Sequence, residues 1–155
     1  MDRLGYAVHD GTSWSVSTVD TSVQGVSHTA LALDSQGRPH IAYHVNLSSS
    51  GDLRYAAWDG STWVLDTVEA GDWPGWYPSI ALDAADRPII SYYHSGTEDL
   101  KLAYHDGTGW DLQTLDATGV VGFYTSLVMD DAGHPHIAYQ DADADDLKYA
   151  RLTCP

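Results

Sequence analysis

Residues 53–63 read LRYAAWDGSTW, and the same pattern stands at 4–14 (LGYAVHDGTSW) and at 100–110 (LKLAYHDGTGW), with the start of a fourth copy at 147–152 (LKYARL). Between these copies lies a second unit, ALDSQGRPHIAY at 32–43, which returns as ALDAADRPIISY at 81–92 and VMDDAGHPHIAY at 128–139. Asp10, Asp59 and Asp106 mark the period, at spacings of 49 and 47 residues. A period of that size means a repeat architecture, so the unit to be folded is the repeat rather than the chain.

Each period reads as four short strands. Strand A is the apolar run at Leu31–Leu33, Ile80–Leu82 and Leu127–Met129; its continuous hydrophobicity predicts a fully buried strand. An Asp-x-x-Gly/Asp-Arg/His-Pro turn follows, with its proline at the start of strand B, where a missing N–H is tolerated. Strand B spans His40–His44 and its copies. Strand C is Leu53–Trp58, ended by Asp-Gly, a strong hairpin signal. Strand D begins at Trp14, Trp63 or Trp110 and runs through Val19, Val68 or Leu115. No stretch carries a 3.6-residue apolar period or a helix cap, so the fold class is all-β.

Repeats of about 40 to 50 residues, each with four antiparallel strands, predict a β-propeller whose innermost strand A lines a central channel. Parallel β-solenoids have much shorter repeats and need no hairpin in each copy. The stretch at 32–43 resembles an NHL-type blade. The DGTSW, DGSTW and DGTGW turns are similar to the Asp-box of sialidase-like (BNR-repeat) propellers, although here Asp and Gly are adjacent. The resemblance covers nearly the whole chain and implies blades, not an activity.

In order the strands are C and D, then A to D twice, then A, B and C, a little over three blades (partial blade 1–20, blades 27–69 and 76–116, partial blade 123–152). Propellers close with about four to eight blades. One copy therefore leaves two open blade faces, and exposed apolar faces mark an interface. A homodimer of about six blades is expected, the N-terminal strand D completing the C-terminal A, B, C unit. Strand C is present at both ends, so one copy is redundant in a closed ring. A truncated longer array is the alternative.

The 155 residues carry 22 Asp plus Glu against 7 Lys plus Arg, a formal charge of −15. Nucleic acid and anionic membrane surfaces need clustered basic groups, so both are excluded as partners. No apolar run is long enough to span a membrane. The single cysteine, Cys154, rules out an intrachain disulfide and leaves a free thiol or a cross-link between chains. The composition is compatible with secretion and does not require it.

Positions kept in every blade answer to blade geometry; loops that differ between blades are free to carry function. Asp34, Asp83 and Asp130, and Asp10, Asp59 and Asp106, are read as turn-capping carboxylates. The D-to-A and B-to-C loops share the other face of the disc. That face carries Trp73, Trp76, Tyr77, Phe123 and Tyr124, with His94 and Glu98 beside them, and none of the seven basic residues. Flat aromatics among acidic groups suit a neutral sugar or a basic protein patch. The same aromatics could instead wedge blades together. The alternating carboxylates Asp141, Asp143 and Asp145 offer hard oxygen ligands suited to calcium, although the EF-hand glycine and terminal Glu are missing. His40 and His136 share a position with Ile89, which points to packing. The function expected is a non-catalytic, lectin-like binding module. The alternatives are a structural propeller fragment without a small ligand, or a relative of BNR-type hydrolases. The last is weakened by the absence of an arginine cluster, and would need acids such as Glu98 and Asp99 to converge with others.

Overall fold

The computed structural model describes residues 3–152, so Cys154 lies outside it. Thirteen strands form four antiparallel sheets and there is no helix among the described residues. The first sheet pairs β1 (Leu4–His9) with β2 (Trp14–Asp20). The second runs β3 (Val26–Leu33), β4 (Pro39–Asn46), β5 (Gly51–Trp58), β6 (Trp63–Ala70). The third repeats it as β7 (Trp76–Leu82), β8 (Pro88–His94), β9 (Asp99–His105), β10 (Trp110–Asp116). The fourth stops at three strands, β11 (Val121–Met129), β12 (Pro135–Asp141) and β13 (Asp146–Arg151). Within each sheet every strand pairs with its neighbour in sequence, so each sheet is a propeller blade in the order A, B, C, D, and the ends of the chain carry blades C-D and A-B-C.

The turns form for the reasons their residues suggest. Asp10, Asp59 and Asp106 each turn Oδ1 onto two backbone N–H groups, those of Thr12 and Ser13, Ser61 and Thr62, and Thr108 and Gly109. The Thr12 and Ser13 donors hold the Asp10 carboxyl down at about 2. In the other turn, Asp34 and Asp83 accept the N–H groups two and four residues on and the Nε–H of Arg38 and Arg87. Despite burial, these bonds hold Asp34 down at about 2 as well.

Strand A departs from expectation. It is half-exposed rather than buried, with Leu31, Leu33 and Val128 open to solvent, whereas strand B is enclosed along β4 and along the whole of β8. Exposure alternates along the strand, intermediate and open positions following one another from Ala30 to Leu33. The cores lie between blades: Leu4 and Val19 of the first pack with Ile41, Tyr43 and Val45 of the second, and Ala42 and Leu53 of the second with Ile80 and Tyr92 of the third. Strand-D tryptophans close the first two joints. Trp63 meets Tyr6 of the preceding blade edge-on at 5.6 Å, and Trp110 meets Tyr55 at 5.3 Å and donates to Asp66 at 2.8 Å.

A buried polar latch repeats at the same joints. Tyr43, Tyr92 and Tyr139 on strand B donate to Asp20, Glu69 and Asp116 at the end of strand D of the blade before, at 2.7, 2.6 and 2.9 Å. Lys101 and Lys148 then pair with Glu69 and Asp116. Charge-assisted bonds of this kind contribute about 1.5–3 kcal/mol each. They register one blade against the next on the face where the variable loops emerge.

Candidate functional site

On that face each D-to-A loop is pinned to the B-to-C loop of the blade it enters by a main-chain hydrogen bond: Asn46 N–H to Gly25 O, Ser95 N–H to Trp73 O, and Ala142 N–H to Val120 O, at 2.8–3.0 Å. The chain then enters strand A earlier than the apolar pattern indicated, so Trp76, Tyr77, Phe123 and Tyr124 stand on the strand rather than in the loop. The register slips between Ser27 and Thr29, Trp76 and Ser79, and Phe123 and Ser126. His28, Tyr77 and Tyr124 sit in these three bulges with φ of 48, 50 and 50°. Non-glycine residues seldom take this conformation, and recurrence at one repeat position marks a built feature that re-aims a side chain.

The bulges throw three rings into line from blade to blade. His28 meets Tyr77 at 4.6 Å and Tyr77 meets Tyr124 at 4.3 Å. Trp76 lies between His28 (5.0 Å) and His44 (4.9 Å) on one side. Phe123 joins Tyr77 (5.5 Å) to Tyr93 (4.2 Å) on the other. Thr125 Oγ–H donates to the Tyr77 carbonyl at 2.9 Å and fixes the bulge across the joint. Burial lowers the pKa of His28 and of His44, so both are neutral rings at pH 7. Burial, with Tyr124 alongside, raises that of the Tyr77 phenol. His44 is fully enclosed and donates from Nδ1 to the Pro74 carbonyl at 2.8 Å. His44 Nε2 and Trp76 Nε1 are buried without a partner. A Cβ on Gly51 would stand 2.5 Å from His44 Cε1 and 3.1 Å from Trp73 Cε3, so only glycine lets these rings lie against strand C.

The expected site residues divide. Trp76, Tyr77, Phe123 and Tyr124 share one ridge, and Trp73 lies against Gly51 near His44. Glu98 is exposed beside it, close enough that its carboxylate helps raise the Tyr93 phenol after burial has done most of the work. His94 is buried, with Nδ1 accepting the Thr97 N–H and Nε2 3.8 Å from Glu69, so it belongs to the latch region rather than the surface. The three calcium candidates, Asp141, Asp143 and Asp145, lie in one loop, and two of them are engaged within it or beside it. Asp141 caps its own turn through the N–H groups of Asp143 and Ala144 and faces Lys148, and Asp143 accepts from Val120. No group of three acidic, His or Cys side chains among the described residues could hold a metal ion. His28 and His44 escaped notice as ring partners, because neither apolar period nor metal spacing flags them. The latch acids Asp20, Glu69 and Asp116 were also missed, though their common spacing of 23 residues from Tyr43, Tyr92 and Tyr139 was a visible signal.

Six of the seven basic residues pair with a carboxylate, so the ridge has no free cation for an acidic ligand; the seventh, Arg3, precedes β1. No helix among the described residues is long and apolar enough to cross a membrane.

No protein-family model matches the chain, and no curated protein matches it. Its structure is similar to that of a fucose lectin from Kordia zhangzhouensis, solved in complex with methyl-fucoside. The TM-score is 0.58 at 21% identity, over 80% of this chain and 91% of that one. A likeness at that identity concerns the fold.

Proposed function

We propose that this chain is a non-catalytic, lectin-like binding module that takes a neutral glycan on the aromatic ridge of its variable face. The observation that carries the reading is the line His44, Trp76, His28, Tyr77, Tyr124, in which rings from three blades follow one another at 4.3–5.0 Å. Sugar rings bind through their apolar C–H faces on such platforms while their hydroxyls meet polar atoms at the edge. The exposed carboxylate of Glu98 and the hydroxyl of the exposed Tyr124 are polar groups that a sugar at this surface could meet. Similarity of fold to a protein that holds methyl-fucoside favours a sugar with an extended apolar face, and fucosides come first among those to test. The paired cations disfavour acidic sugars, as they disfavour phosphate ligands.

The module acts as a self-associated ring. A purely structural array is the second reading, favoured by the exposed apolar residues on both terminal blades, Val8, Trp14 and Val16 on one and Val128, Leu147 and Tyr149 on the other. A glycan array probed with the labelled protein separates the two: binding confined to neutral glycans, fucosylated ones included, supports the lectin reading, and a folded protein that binds no glycan supports the array.

A further inference from the structure

The first two blade joints are each closed by a strand-D tryptophan packed on a strand-C tyrosine of the blade before, and the third has no such tryptophan. In the second joint, Trp110 on strand D packs on Tyr55 of the blade before, donates to Asp66 there, and rests on His105 of its own strand C at 5.1 Å. One period on, the corresponding positions of the third joint are Leu102, Gln113 and Leu152. They line an apolar groove of about 330 Å³, closed by Tyr104, Met129 and Pro135. The tryptophan is missing because the fourth blade has no strand D. At the other end of the chain, strand D of the first blade presents Trp14 with 69% of its surface exposed.

We propose that a second copy of this chain supplies the missing strand: its β2 pairs with β13, placing its Trp14 in this groove against Leu102 and Leu152, with the indole N–H on Gln113. The occupant follows from continuity with the joints inside the chain, and the exchange is reciprocal, giving a two-fold ring of six blades. The free edges of β2 and β13 are covered by each other.

The duplicated strand C is resolved by the latch. β1 and β13 compete for one place in the shared blade. β13 carries Lys148, the cation paired with Asp116 and Asp141, whereas β1 has Gly5 at that position. β13 keeps the place and the second copy's β1 leaves it. Leu147 and Tyr149, 82% and 62% exposed here, then occupy the sites where Leu4 and Tyr6 now pack against the second blade. The ring also completes the ridge. His28 is covered by Tyr77 and Tyr77 by Tyr124, but Tyr124 is 64% exposed with no ring beyond it. His28 of the second copy is the next ring in the series.

Light scattering on the purified chain tests the assembly without any sugar. Wild type should show twice the mass of one chain. Trp14→Glu should halve it, raising the dimer dissociation constant about 30-fold or more, as for a buried tryptophan anchor. Trp14 is exposed within the chain, so an unchanged circular dichroism spectrum accompanies that loss. Gln113→Lys should weaken the dimer in the same direction, and removal of residues 1–9 should leave it intact. A monomeric wild type, or a Trp14→Glu variant of undiminished mass, overturns the proposal.

Discussion

The hydroxyl of Tyr92, on strand B of the third blade, donates a 2.6 Å hydrogen bond to Glu69, the penultimate residue of strand D in the second. Burial, with that carboxylate beside it, raises the phenol pKa far above its ordinary value, so the bond persists across the working pH range. Tyr92→Phe leaves Glu69 with Lys101 and the more distant His94 ring. The expected loss is about 1–2 kcal/mol, read as a lower denaturant midpoint with an unchanged slope. A midpoint equal to wild type would mean that the latch orients the blades without stabilising them.

The second blade contains a polar pair that the third replaces by an apolar one. His40 Nδ1 meets the Tyr55 hydroxyl, and His136 repeats the contact with Tyr149 at 2.5 Å in the fourth blade. The third has Ile89 and Leu102 at these positions. His40→Ile alone strands a buried hydroxyl, at about 1–3 kcal/mol. Adding Tyr55→Leu removes the stranded group, so a double-mutant cycle should return a coupling of about 1 kcal/mol or more. Additive single effects would show that the two positions vary independently.

How far the sequence carried the structure depends on which interactions are periodic. Thirteen strands, their order and both turn types are legible in the repeat, because turn carboxylates and strand prolines act locally. Burial of strand A does not follow from its apolar run: Leu31 and Leu33 are exposed in the single chain. The aim of Tyr77 and Tyr124 was not legible either, because a bulge shifts register by one residue and leaves no trace in a period-two pattern. Glu69 and Asp116 open loops in sequence and close joints in space, and only the 23-residue spacing to the strand-B tyrosines connects the two.

Stability should fall below pH 6.5. His28, His40 and His44 have pKa values lowered chiefly by burial, so the unfolded chain takes up protons near 6.5 where the folded one does not. Stability from these groups is complete above 6.5 and declines as pH drops. Asp10 and Asp34, held at about 2, add a second loss that begins near pH 4 and continues to about 2. His44→Asn keeps a donor for the Pro74 carbonyl and cannot titrate in this range. Its thermal midpoint should drop less than that of wild type between pH 7.5 and 5.5, and an equal drop would clear His44 of any part.

Calorimetric titration of the purified chain with methyl-fucoside and a panel of neutral monosaccharides bears most directly on the lectin reading. Saturable binding of at least one neutral sugar is expected, lost or weakened about tenfold or more in Tyr77→Ala and Trp76→Ala, with the oligomeric mass of each variant unchanged; a tenfold loss corresponds to about 1.4 kcal/mol. Folded protein that gives no heat with any neutral sugar, or binds with the same affinity after both substitutions, would contradict it.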